Sequence, residues 1–88
     1  MKIYYSGKFG REYRKLPLTV KKVAEQKEKI FRKDPFDPRL KTHKLKGPLK
    51  GFWSFSIDGK YRIIFELVVK NEVWFHSVGT HNIYKLWD

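Results

Sequence analysis

Arg62 is the residue with most to explain. It stands in Tyr61–Val69, the most apolar segment of the chain, and an arginine there needs an anionic partner or a path to solvent. One partner lies within reach of the same strand face, Glu66. The alternative aims the planar guanidinium at a phosphate, a group it grips better than lysine does. The pattern leaves both readings open. Three histidines accompany it: His43 in a basic connector, His76 in the last strand, and His81 just past the Gly79-Thr80 corner. An imidazole titrates near neutral pH, so His81 at a strand-end corner suits acid–base work. Histidine separations of 33 and 5, with no acidic ligand nearby, argue against a metal site. No nucleophile elbow and no glycine-rich phosphate loop is present, and no cofactor is expected. The chain has no cysteine, which removes disulfides, thiolate zinc sites and cysteine nucleophiles together.

These residues need a scaffold, and the apolar spacing supplies one. Residues 2–5 read as a short strand. Phe9, Tyr13 and Leu16 fall at helical spacing until Pro17 interrupts them. Val20, Val23, Ala24, Ile30 and Phe31 then form a second stripe, with Thr19 as the expected N-cap and Pro35 as the stop. A helical hairpin follows from two such stripes joined at a proline. Residues 34–50 carry three prolines and a glycine and read as an extended connector, with 40–45 pairing briefly as an edge strand. Next come strands at Phe52–Ile57, Tyr61–Val69 and Glu72–Val78, turning at Asp58-Gly59 and Lys70-Asn71. Gly79 stops the last one before a short tail, His81–Asp88, that carries Ile83, Tyr84, Leu86 and Trp87. The expected fold is α+β: an N-terminal strand, a two-helix hairpin, then an antiparallel three- to four-stranded meander with the helices on one face. Alternation places Trp53, Phe55 and Ile57 under the helices with Ile63 and Phe65. Ser54 and Ser56 then share the open face with Arg62, Ile64 and Glu66.

The chain has 88 residues, which is one domain (1–88), since two would each fall below the usual floor of about 50. No apolar run approaches the ~20 residues of a membrane span, and residues 1–5 read as strand rather than signal peptide, so a cytoplasmic globular protein without membrane contact is expected. The formal charge is +11, and all of it resides in residues 1–50, where 16 basic residues face 5 acidic ones. Half a domain biased in this way points to an anionic partner, nucleic acid first and an acidic protein second.

The run DPFDPRLKTHKLKGPLKGFWSFSIDGKYRIIFE, followed by a strand and then SVGTHNIY, resembles the RelE/ParE superfamily of bacterial toxin–antitoxin toxins. The resemblance covers nearly the whole chain. Its most specific pieces are Leu45-Lys46-Gly47, Tyr61-Arg62-Ile63-Ile64-Phe65 and Gly79-Thr80-His81. It implies a RelE-like fold and a metal-independent endoribonuclease that cuts messenger RNA in the ribosomal A site, by attack of a ribose 2′-OH on the adjacent phosphate. Such chemistry needs a base, cationic stabilisation of the phosphorane and an acid for the leaving oxygen. The resemblance implies that Arg62 contacts the scissile phosphate and that His81 is general acid or base. It also implies that Tyr84 helps hold a base or the phosphate, and it matches His43 to a histidine of one RelE-like subgroup. Lys41, Lys44, Lys46, Lys50, Ser54 and Ser56 are the expected RNA-binding set.

The sequence also departs from the pattern. Ser54 and Ser56 stand where some relatives carry lysine or histidine. Ser77 or Val78 replaces an arginine before the corner, and Tyr61 beside Lys60 replaces an Asp-Trp type pair. The implied partners are a cognate acidic antitoxin, ribosomal RNA and messenger RNA. Because one fold serves several activities, a ParE-type gyrase inhibitor and a degenerate antitoxin-binding protein remain the alternatives.

Overall fold

The computed structural model describes the backbone of residues 1–87 and the side chains of residues 1–85; Asp88 and the side chains of Leu86 and Trp87, all in the expected tail, lie outside the described residues. Strand β1 (Lys2–Tyr5) leads into α1 (Gly7–Arg14) and α2 (Leu18–Lys33). A connector with two 3₁₀ turns, Pro38–Leu40 and Gly47–Leu49, flanks the two-residue β2 (His43–Lys44). Strands β3 (Trp53–Ser56), β4 (Arg62–Val69) and β5 (Glu72–Gly79) follow, and a 3₁₀ segment, His81–Trp87, ends the described chain.

The α+β architecture matches the expectation, with one addition to the sheet. Its order is β1-β5-β4-β3-β2, and β1 runs parallel to β5, which makes a mixed five-stranded sheet. The helical hairpin is the crossover that permits this: it carries the chain from one edge of the sheet over its face to the other. β4 is the central strand, flanked by β5 and β3.

Local chemistry sets the element ends. Ser6 caps α1 by accepting from the Phe9 N–H at 3.0 Å. α2 starts after Pro17, whose position leaves no side-chain cap, so Thr19 lies inside the first turn and is not the N-cap. Pro17 has the fixed φ that suits a helix entrance. Asp34, extended at φ −158° as a residue before proline must be, ends α2. The β3–β4 loop is wider than a two-residue turn. The Asp58 carboxylate accepts from the N–H groups of Lys60 and Tyr61 at 2.8 and 2.7 Å, so the aspartate organises the loop through its side chain. Asn71 supplies the left-handed residue, φ 65°, for the β4–β5 turn.

The helices press Phe9, Leu16, Val20, Ala24 and Phe31 onto Phe55, Ile57, Ile63, Phe65, Val73 and Phe75. Phe31 is fully buried and stacks on Phe55 at 4.9 Å, with Phe65 and Phe75 edge-on. Aromatic pairs of this geometry add about 0.5–1.5 kcal/mol each beyond burial. Buried Ile64, Leu49 and Ile83 lie outside that cluster. β3 pairs with β4 only as far as Phe65, opposite Trp53. Beyond it, exposed Leu67, Val68 and Val69 overhang, with a register shift between Leu67 and Val69. Among the described residues, no helix is long and apolar enough to cross a membrane.

Candidate functional site: a cationic cavity around Arg62

Arg62 begins β4, opposite Ser56 on one side and Gly79 on the other. The alternation therefore sends its side chain to the face away from the helices, together with Ser54, Ser56 and Ile64. The open alternative for its partner is decided. Glu66 pairs with Nε2 of His76 at 2.9 Å, not with Arg62. The register shift between Ile64 and Phe65, opposite β5, accommodates His76 and swings it towards Glu66.

Arg62 instead meets neutral groups. One terminal nitrogen donates to Nε2 of His81 at 2.7 Å and the other to the Ser56 hydroxyl at 3.4 Å. Its Nε is buried and has no hydrogen-bond partner among the described residues. A guanidinium so placed is under-satisfied in both charge and hydrogen bonding, the condition that an incoming anion relieves.

Gly79 ends β5 beside Arg62, and the chain turns there to bring His81 across. A methyl added at Gly79 would lie 2.5 Å from the Cγ2 of buried Ile83, so only glycine lets the 3₁₀ segment pack this closely. One turn on, the Tyr84 hydroxyl lies 2.9 Å from Oγ of fully buried Ser54, and the His81 and Tyr84 rings meet at 5.8 Å. Upstream, Glu12 of α1 accepts from the Ser77 hydroxyl at 2.7 Å and from the Val78 N–H at 3.1 Å. That carboxylate satisfies the β5 edge where β1 has ended, and it fixes the strand that delivers the corner.

A cavity of about 330 Å³ opens beside Arg62, lined by Lys27, Arg39, Lys41, His43, Ser56, Asp58 and Gly59 as well. Its size suits a small ligand group. His43 faces it from β2, paired with Ser54, and its Nδ1 donates to the Lys41 carbonyl at 3.1 Å, which leaves Nε2 available. Six expected residues thus gather on one side of the sheet: Arg62, His81, Tyr84, Ser54, Ser56 and His43, with Lys41 on the rim.

Lys44, Lys46 and Lys50 do not join them. They line a separate groove of about 550 Å³ with Phe52 and Trp53, where the Lys44 ammonium lies over the Trp53 ring at 5.3 Å. Two cavity cations, Lys27 and Arg39, were missed by the sequence reading. Lys27 reads only as the polar face of α2. Arg39 had a local signal, Asp37-Pro38-Arg39, the pattern of an aspartate capping a turn that starts with proline. Asp37 indeed accepts from the Arg39 N–H at 2.9 Å and grips its guanidinium with both oxygens, at 3.0 and 2.9 Å. Those hydrogen bonds hold the Asp37 carboxyl down at about 2 and push Arg39 up. No cluster of three or more histidine, cysteine or acidic side chains able to hold a metal occurs among the described residues.

Solved structures share this arrangement of elements. The YoeB/ParE toxin from Agrobacterium tumefaciens matches with a TM-score of 0.77 at 18% identity, covering 92% of this chain and 99% of that one. The fold is that of the RelE/ParE-like toxins. YafQ from E. coli shares the RelE/ParE-like fold at a TM-score of 0.74 and 20% identity, over 94% of this chain and 96% of its own. YoeB in the YoeB-YefM complex from Staphylococcus aureus does so at 0.74 and 21%, over 92% and 97%. No protein-family model and no curated protein matches the sequence.

Proposed function

We propose that this chain is the toxin of a toxin–antitoxin pair and acts as a ribosome-dependent endoribonuclease on messenger RNA in the A site. The observation that carries the reading is the Arg62–His81 contact at 2.7 Å: a guanidinium without a carboxylate partner among the described residues, beside an imidazole, in a cationic cavity. The chemistry follows from the groups. The scissile phosphate takes the Arg62 guanidinium, which then stabilises charge building on the non-bridging oxygens. Nε2 of His81, released from Arg62, accepts the 2′-OH proton as that oxygen attacks phosphorus. His43, protonated, gives a proton to the departing 5′-oxygen, so the P–O5′ bond breaks and a 2′,3′-cyclic phosphate is left. Tyr84 holds the reacting groups from the His81 side. Side chains fill every role, so the reaction needs no metal.

The partners belong to the same reading. The basic surface of residues 1–50 grips ribosomal RNA in the cytoplasm and takes an acidic antitoxin. A YoeB/ParE toxin among the structural neighbours supports the toxin role, and a YoeB-YefM toxin-antitoxin complex among them supports an antitoxin partner. A gyrase inhibitor has no need of a histidine held against an arginine, which favours the nuclease.

Addition of the protein to a cell-free translation system tests the reading. The expected result is messenger cut at sites that map within A-site codons. Intact messenger together with accumulated gyrase-cleaved DNA would overturn it in favour of the ParE-type activity.

A further inference from the structure

The connector between α2 and β2 is built more firmly than a linker requires. Leu40 is fully buried and anchors it to the core. Asp37 caps the Pro38–Leu40 turn and clamps the Arg39 guanidinium in two parallel hydrogen bonds, while Lys27 of α2 donates to the Arg39 carbonyl at 3.1 Å. Thr42 donates its hydroxyl to the Pro35 carbonyl. Lys41, between them, adopts φ 53° and ψ 41°, a left-handed conformation that glycine or asparagine takes more readily. Lysine in that conformation points to a use for its ammonium.

All three cations line the cavity that Arg62 enters. Arg39 remains largely open to solvent even while paired, with 67% of its side chain exposed, so its outer donors are free for an anion. Asp37, paired to Arg39, and Asp58, which also lines the cavity, offset two of the four cations Lys27, Arg39, Lys41 and Arg62. The cavity as a whole stays net positive, and holding Arg39 in place reduces the entropy that an arginine loses on binding phosphate.

We infer that the Asp37–His43 connector is a second phosphate clamp, in which Arg39, Lys41 and Lys27 hold the backbone phosphate next to the scissile one. This rests on the RNA-cleaving reading of Arg62 and extends it. A single phosphate at Arg62 leaves the substrate free to pivot, whereas two phosphates on a rigid cationic frame fix the ribose between them. Asp37 is a positioning residue here, acting through Arg39.

The test is fluorescence anisotropy of the full chain with a short oligoribonucleotide carrying a 2′-deoxy sugar at one site, which blocks cleavage. Arg39→Ala and Lys41→Gly should each weaken binding about ten-fold and lower the salt slope by about one phosphate contact. Lys41→Gly suits the left-handed backbone, so it removes charge without disturbing the turn. A neutral methylphosphonate next to the deoxy site should weaken wild-type binding by a similar factor and barely affect Arg39→Ala. Wild-type affinity in both variants, or full sensitivity of Arg39→Ala to the neutral linkage, would overturn the clamp alone. Arg62→Ala binding as tightly as wild type would instead overturn the reading of the Arg62 site, and no binding by the wild type at low salt would overturn both.

Discussion

Nε2 of His81 accepts a hydrogen bond from the Arg62 guanidinium across 2.7 Å. A guanidinium has donors only, so this imidazole nitrogen is unprotonated and the ring proton of the neutral form sits on Nδ1. In the proposed reaction the base is therefore stored against the cation that takes the phosphate, and each is released when the substrate arrives. Arg62→Ala and His81→Ala should each lower messenger cleavage by about 10²–10⁴. The double variant should be little worse than either, since groups that act as a unit are not additive. Arg62→Lys should recover little, because an ammonium lacks the fork that reaches both Ser56 and His81. Primer-extension yields from cell-free translation provide the check, and near-wild-type cleavage by either alanine variant refutes the assignment.

Gly79 sets the distance between sheet and C-terminal segment. Gly79→Ala puts a methyl into the Cγ2 of Ile83, and Ile83 is buried, so the segment rather than the side chain has to move. Cleavage should fall at least ten-fold through the displacement of His81 and Tyr84. Adding Ile83→Ala removes the clashing atom and should restore part of the activity at some cost in stability. A Gly79→Ala protein that cleaves normally would show that the packing does not position the site.

Glu12 works for stability. Glu12→Ala removes the acceptor of the fully buried Ser77 hydroxyl, which keeps only the Lys8 ammonium at 3.0 Å, and leaves the Val78 N–H unpaired, which costs about 1–3 kcal/mol. For a domain of this size each kcal/mol lowers the melting temperature by about 4–8 °C. Glu12→Gln keeps an acceptor and should lose less. Urea unfolding at neutral pH distinguishes the two.

Asp37 titrates at about 2 in the folded chain, chiefly through the side-chain hydrogen bonds from Arg39 and then the Arg39 N–H. The folded carboxyl lies below its unfolded value, so its contribution is complete above the unfolded range near 3.9 and disappears as pH falls through 2. The carboxyl carbon of Asp37, followed by NMR, should keep its ionised shift down to pH 3. Arg39→Ala should return the midpoint towards the ordinary aspartate range, and an unchanged midpoint would mean that Arg39 is not what holds it down.

Much of the site was legible because strand alternation has period two. Once Phe55 and Ile63 are assigned to the core, Ser54, Ser56 and Arg62 must share the other face, and they do. His81 and Tyr84 entered through the family resemblance, and the fold brings them to that face. What escaped depends on contacts distant in sequence. Pairing of β1 with β5 joins residues some seventy apart, and no local pattern announces it. The Glu66–His76 pair needs the register shift in β4–β5, which periodicity alone does not reveal. Lys27 faces the cavity only because α2 crosses the connector. Thr19 was the better capping residue by type, but Pro17 determines where the chain can enter the helix.

The overhang of the β4–β5 hairpin has a consequence for the protein as a material. Past Phe65 the outer edge of β4 carries no neighbouring strand from β3, and Leu67, Val68 and Val69 lie exposed along it. Such an edge invites other chains to stack on it. The irregularity between Leu67 and Val69 spoils the repeat that stacking needs, so this kink works against the growth of fibres from that edge.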